Sequence, residues 1–167
     1  MKILETPRLV LRRLHAGDAA FIFELVNDPS WLRYIGDKGV KSVEDARGYI
    51  ERGPMAMYER LGFGLWVVEV KASGAAAGIC GLIKRDTLPD VDIGYAFLPR
   101  HRAQGYAFEA AAATLDYARH VLGLARIVAI TSPGNERSSR LLEKLGLRLE
   151  RSLRFSGDHE VNLFATQ

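Results

Sequence analysis

Apolar positions recur along this chain at two spacings, and each change of spacing marks a predicted element. Residues 9–14 alternate like a short strand between Pro7 and Gly17-Asp18. Phe21, Ile22, Leu25 and Val26 then fall on one helical face, which predicts a helix capped by Asp18 and ending near Asn27-Asp28-Pro29. Ser42 opens a second helix, with Asp45 three residues on as a weak capping box and Tyr49, Ile50, Met57 and Leu61 along its length. Gly53-Pro54 should kink or split that helix, because proline removes a backbone donor and clashes with the preceding turn.

Short apolar runs bounded by turns predict strands at 65–70, 77–84 and 91–98, the last stopped by Pro99. Phe108, Ala111, Ala112, Leu115, Ala118 and Leu122 restore the helical period from about 105 to 120. The alanines at 110–113 have high helix propensity and allow close packing on a sheet. Residues 126–131 are apolar enough for burial on both faces, 135–145 form a shorter helix closed by Gly146, and 147–155 with 161–166 suggest a final hairpin.

Strand, helix, strand across 91–131 is a βαβ unit, so its two strands should be parallel with a right-handed crossover. The order as a whole predicts one α/β domain over residues 1–167, a mixed sheet of about six to seven strands flanked by helices. Ligand is expected where strands end and helices begin around the parallel pair.

Composition narrows the chemistry. The chain is 48% hydrophobic and 26% charged, as a folded domain should be. Its 23 Lys and Arg against 20 Asp and Glu leave +3, too small a surplus to argue for nucleic acid. The one cysteine, Cys80, excludes an internal disulfide and lies in an apolar run with no base beside it, so it reads as a buried strand residue. The four histidines have no metal-ligand spacing, and no metal is expected. Without an apolar leader or a run of roughly 20 apolar residues, the expectation is a cytoplasmic protein that does not enter a membrane.

The segment Leu98-Pro99-Arg100-His101-Arg102-Ala103-Gln104-Gly105-Tyr106-Ala107 carries the chemistry. A strand stops, a basic turn follows, and small residues open a helix. Unpaired amides at a helix start bind anions, and Arg100 and Arg102 can add charge. An ordinary strand-to-helix turn with a solvated basic loop has the same spacing.

Here the chain resembles a family. Arg102-x-x-Gly105-x-Ala107 matches the Q/R-x-x-G-x-G/A signature of the GNAT acetyltransferases. Asp92-Ile93-Gly94-Tyr95, Tyr106-Ala107-Phe108-Glu109-Ala110, the opening Glu5-Thr6-Pro7-Arg8-Leu9-Val10-Leu11-Arg12, and Asn135-x-x-Ser138 followed by Leu142-Glu143-Lys144-Leu145-Gly146 are similar to the RimJ/RimL-like branch.

The resemblance implies a three-layer fold whose sheet splays between the two parallel strands, and acetyl-CoA as cosubstrate. It implies pyrophosphate on the amides of Ala103, Gln104, Gly105, Tyr106 and Ala107, the pantetheine arm along backbone at Phe97 and Leu98, and an amide near Phe97 or Leu98 facing the thioester oxygen. It implies a primary amine as acceptor, by branch a protein N-terminal α-amine. A small-molecule amine, or binding of acyl-CoA without catalysis, are the alternatives. A homodimer is kept as an expectation, since the sequence does not fix the oligomeric state.

Several side chains carry two readings. Asn135 is a natural N-cap, and by resemblance also a partner of the pantetheine arm. Ser138 shares a face with Leu141, Leu142 and Leu145; it is either a packed serine or the acid that protonates the leaving thiolate, because the tyrosine many GNAT enzymes carry further along this helix is missing. Asp92 is the first candidate for general base and Glu109 a weaker one, each alternatively a surface or ion-paired acid. Trp31 and Tyr34, in the segment after the first helix, either line an acceptor pocket or anchor packing.

Overall fold

A computed structural model describes residues 1–156 and 159–167. The strands are β1 (Lys2–Glu5), β2 (Leu9–Arg13), β3 (Leu65–Val70), β4 (Ala76–Ile83), β5 (Val91–Phe97), β6 (Ile127–Thr131), β7 (Arg148–Ser156) and β8 (His159–Ala165). The helices are α1 (Ala19–Val26), α2 (Pro29–Tyr34), α3 (Val43–Ile50), α4 (Ala56–Leu61), α5 (Tyr106–His120) and α6 (Glu136–Lys144). One eight-stranded sheet runs β1-β2-β3-β4-β5-β6-β8-β7, antiparallel except at β5–β6.

Helices cover both faces. On one, Ala110, Ala111, Leu115 and Ala118 of α5 pack with Leu9, Leu11, Trp66, Val68, Cys80, Leu82, Ile93 and Phe97. On the other, Ile22, Leu25, Trp31, Ala46 and Ile50 from α1, α2 and α3 pack with Val67, Ile79 and Leu98. Alternation along β3 and β4 supplies both faces, so these central strands are apolar almost throughout. Cys80 is buried on β4 beside Thr114 Oγ1 at 3.4 Å, and burial pushes its thiol up to about 12. Among the described residues no helix is long and apolar enough to cross a membrane.

The feature that positions the site is the short parallel pairing. β5 meets β6 only at Val91↔Ile127 and Asp92↔Val128, whereas its other edge stays paired with β4 from Asp92 to Phe97. Beyond Asp92 the sheet therefore opens into a wedge, the splay that the resemblance implied.

Three expectations need correction. The sheet has eight strands because β1, with exposed or half-buried side chains throughout, adds an edge ahead of β2. The segment holding Trp31 and Tyr34 is helical, since Asp28 accepts from Ser30 N at 3.1 Å and Pro29 occupies the first turn. Asp18 does not cap α1 with its side chain, because its carboxylate is taken by Arg12 at 2.8 and 2.9 Å and by His15 N at 3.0 Å. Ser42 does cap α3, and a π-helical turn over Glu51–Met55 accommodates Pro54. The hairpin turn expected between 155 and 161 falls partly outside the described residues.

Candidate active site

β5 delivers the chain to a tight turn, Pro99–His101, and then to α5. Between them Ala103 has φ +61° and Gly105 φ +82°. Such left-handed positions turn successive amides toward one concavity, which favours an anion. The first helical amide with an acceptor is Glu109 N, bonded to Gly105 O at 3.1 Å. Among the described residues the amides of Ala103, Gln104, Gly105, Tyr106 and Ala107 meet no protein acceptor, and they stand at the positive end of a four-turn helix.

The loop is held from outside, by residues the sequence reading did not single out for this. Arg8 Nη1 donates to Gln104 O at 2.8 Å, Arg8 Nε to Glu109 Oε1 at 2.7 Å, and the guanidinium lies 4.6 Å from the Tyr106 ring centroid. Glu109 also accepts from Thr6 Oγ1 at 2.5 Å and Arg8 N at 3.0 Å. Burial alone would raise its pKa, but these contacts bring it below the usual range. Glu109 thus ties the N-terminal strands to α5, and the general-base reading of it is set aside.

Arg100 and Arg102 are also engaged within the protein. Arg100 pairs with Glu24 at 2.6 Å. Arg102 donates to Phe97 O at 3.0 Å, Ser30 Oγ at 3.3 Å and Asp28 Oδ2 at 2.7 Å, joining the end of β5 to the start of α2. The main chain, rather than free guanidinium groups, is what this turn offers an anion.

The β5 edge has a similarly definite polarity. Leu98 N donates to Ala77 O at 2.9 Å and Leu98 O accepts from His101 N at 3.0 Å, so both polar groups of Leu98 are spent. Alternation in the antiparallel ladder then turns the amides of Tyr95 and Phe97 into the wedge, while that of Ile93 is used in the parallel pairing with Val128. Of the two residues named for the thioester contact, Phe97 retains an available donor and Leu98 does not.

Two titratable groups occupy opposite faces of β5, as alternation requires of positions 92 and 95. Asp92 is 1% exposed, and burial raises its carboxyl from 3.8 to about 6 although Arg85 Nε stands 3.3 Å away. Its Oδ1 has no partner. Tyr95 lies on the α5 side, its hydroxyl 2.9 Å from Ser138 Oγ, and burial pushes it up to about 12. Asn135 caps α6 by accepting from Ser138 N at 3.3 Å, which sets Ser138 in place. The strand thus brings a phenol to Ser138 where α6 itself carries no tyrosine.

Both faces look onto one long cleft that also takes in α2, the 103–107 turn and α6. Trp31 is 5% exposed and largely core, yet its Nε1 is buried without a partner, as is Thr131 Oγ1 on β6. Buried polar atoms seldom remain unpaired, so these and Asp92 Oδ1 invite a polar ligand. Tyr34 is half-buried on the cleft wall, and its carbonyl accepts from Ser132 Oγ at 2.8 Å.

A turn of unpartnered amides beside an open strand edge is suited to a ligand with an anionic end and an extended polar arm. A family model described as "Acetyltransferase (GNAT) domain" matches residues 8–148, and the chain belongs to that family. An uncharacterised N-acetyltransferase of Bacillus subtilis, YoaA, is 33% identical over 91% of this chain and 86% of its own. An acetyltransferase from Agrobacterium tumefaciens matches with a TM-score of 0.84 at 24% identity, over 100% of this chain and 94% of that one. RimL, a ribosomal L7/L12 α-N-protein acetyltransferase solved with coenzyme A, shares the fold with a TM-score of 0.75 at 16% identity, over 99% and 97% of the two chains. A spermidine N-acetyltransferase chimera from Vibrio cholerae and hSSAT does so with 0.77 at 22%, covering 95% of each chain. The protein is a GNAT N-acetyltransferase, and the family uses acetyl-CoA.

Proposed function

We propose that this enzyme acetylates a protein N-terminal α-amine by direct attack within a ternary complex. Acetyl-CoA supplies the acetyl group as a thioester. The chain's own groups suit that cosubstrate: the amides of Ala103, Gln104, Gly105, Tyr106 and Ala107 for the pyrophosphate, the edge at Tyr95 and Phe97 with Asn135 for the arm.

Asp92 accepts the proton of the acceptor ammonium, so that a neutral nitrogen can attack the thioester carbon. Phe97 N–H donates to the carbonyl oxygen as negative charge grows there. As the new C–N bond forms and the C–S bond breaks, the Tyr95 and Ser138 hydroxyl pair gives a proton to the departing sulfur, while the second proton leaves the acetylated nitrogen for water in the cleft, from which the hydroxyl pair is reprotonated. Asp92 releases its own proton to solvent through the cleft.

The observation that carries the reading is the buried Asp92 carboxyl on the cleft wall, its Oδ1 without a partner among the described residues and its pKa raised by burial to about 6. An α-amine near 8 lies within reach of such a base, whereas a lysine near 10.4 loses its proton to it roughly 250 times less readily. Peptides with a free N-terminus should release CoA thiol on incubation with acetyl-CoA, and N-terminally blocked peptides bearing a lysine should not. Equal turnover of the blocked peptides contradicts the reading.

A further inference from the structure

Resting on the N-terminal reading, we propose that the acceptor carries anionic side chains directly after its reactive amine, recognised by Lys38 and Arg85. Arg33, Lys38 and Arg85 line the cleft together with Asp92; of the other acids lining it, Asp28 is paired with Arg102 at 2.7 Å and Glu136 with Arg140 at 3.7 Å. Asp92 is already spoken for by Arg85 at 3.3 Å. Arg33 lies over the Tyr34 ring at 4.9 Å from its centroid. Among the described residues no carboxylate lies within ion-pair distance of Lys38; the neighbouring Asp37 pairs instead with Lys41 at 3.0 Å.

Lys38 is an exposed side chain whose one resolved charged influence is a like charge, Arg85. Its ammonium is held below the ordinary lysine range, first by the surrounding protein and then by Arg85. A cleft in that state gains from an anion that sits between the two cations and loses from a second positive charge. An N-terminus followed by Asp or Glu satisfies all of this. A polyamine, which brings further positive charge past Asp92, does not.

The test uses the full-length enzyme with acetyl-CoA and three peptides of equal length. They share a free N-terminal serine and differ only at the next two positions, both acidic, both uncharged or both basic. A free dicarboxylic amino acid completes the panel. The acidic peptide should be acetylated with kcat/KM at least about tenfold above the uncharged one, the worth of one charge-assisted contact, with the basic peptide slowest. Lys38→Met should raise KM for the acidic peptide, leave kcat near wild type and leave the uncharged peptide unaffected.

Equal rates across the peptides, or preference for the basic one, overturn the charge inference while leaving N-terminal acetylation standing. Acetylation of the amino acid but of no peptide overturns the N-terminal reading while supporting the charge inference. Turnover of nothing in the panel overturns both.

Discussion

Replacing Asp92 by Asn separates what this residue costs the fold from what it does in the reaction. Its carboxyl is raised from 3.8 to about 6 by burial. At 1.36 kcal/mol per pKa unit the ionised form costs the folded state about 3 kcal/mol. The sign follows from the direction: a carboxyl that binds its proton more tightly when folded contributes most below its unfolded pKa and loses that contribution as pH rises through about 6.

Asparagine has nearly the same shape and no charge to bury. It gives up the Arg85 pair, but Arg85 is 30% exposed and water can replace the contact, a loss of about 0.2–1 kcal/mol. The variant should therefore be more stable than wild type by about 2 kcal/mol at pH 8, or about 4–8 °C in Tm for a domain this size, and no more stable at pH 4. Thermal unfolding at the two pH values reads this directly. In the same variant kcat/KM for the acceptor should fall by about 100-fold or more, and the rise of wild-type activity through pH 6 should disappear. A variant destabilised equally at both pH values, or one that keeps its activity, would refute the reasoning.

Tyr95→Phe removes the hydroxyl 2.9 Å from Ser138 Oγ and should lower kcat by about 100-fold with little change in KM for acetyl-CoA, in steady-state kinetics. Ser138→Ala, which leaves Tyr95 in place, should cost less. Arg8→Ala frees the Gln104 carbonyl and Glu109, so KM for acetyl-CoA should rise roughly tenfold with kcat largely kept. Ala103→Gly relieves a positive φ and should stabilise the protein by up to about 1 kcal/mol in urea unfolding, with CoA affinity retained. Gly105→Ala should do the reverse, since its Cβ would meet Arg8 Nη2 at 3.1 Å and φ is +82° there.

Elements fixed by local chemistry were legible in the sequence. The expected strand over 65–70, the Ser42 and Asn135 caps, and the alanine helix coincide with β3, α3, α6 and α5 to within about a residue. The wedge between β5 and β6 followed from the family resemblance and is present.

What stayed hidden depends on contacts far apart in the chain. Tyr95 lies in a quoted motif, yet nothing local shows that its hydroxyl reaches a serine 43 residues away. Glu109 looked free until Thr6 and Arg8, more than 100 residues distant, closed on it. Asp18 looked like a cap because an acid before a helix usually is one; Arg12 competes more strongly. The missed α2 did carry a local signal. Asp28-Pro29-Ser30 serves both as the stop of one helix and as the cap and first turn of the next, and only the stop was read.

The claim on which the rest depends is that main-chain amides at the head of α5, and the unpaired edge of β5, receive the cosubstrate. A crystal structure with coenzyme A tests it. The pyrophosphate oxygens should lie about 2.7–3.2 Å from amides between Ala103 and Ala107, with the arm running beside Tyr95 and Phe97. A pyrophosphate held by side chains alone, with those amides turned away and the strand edge bare, would contradict it.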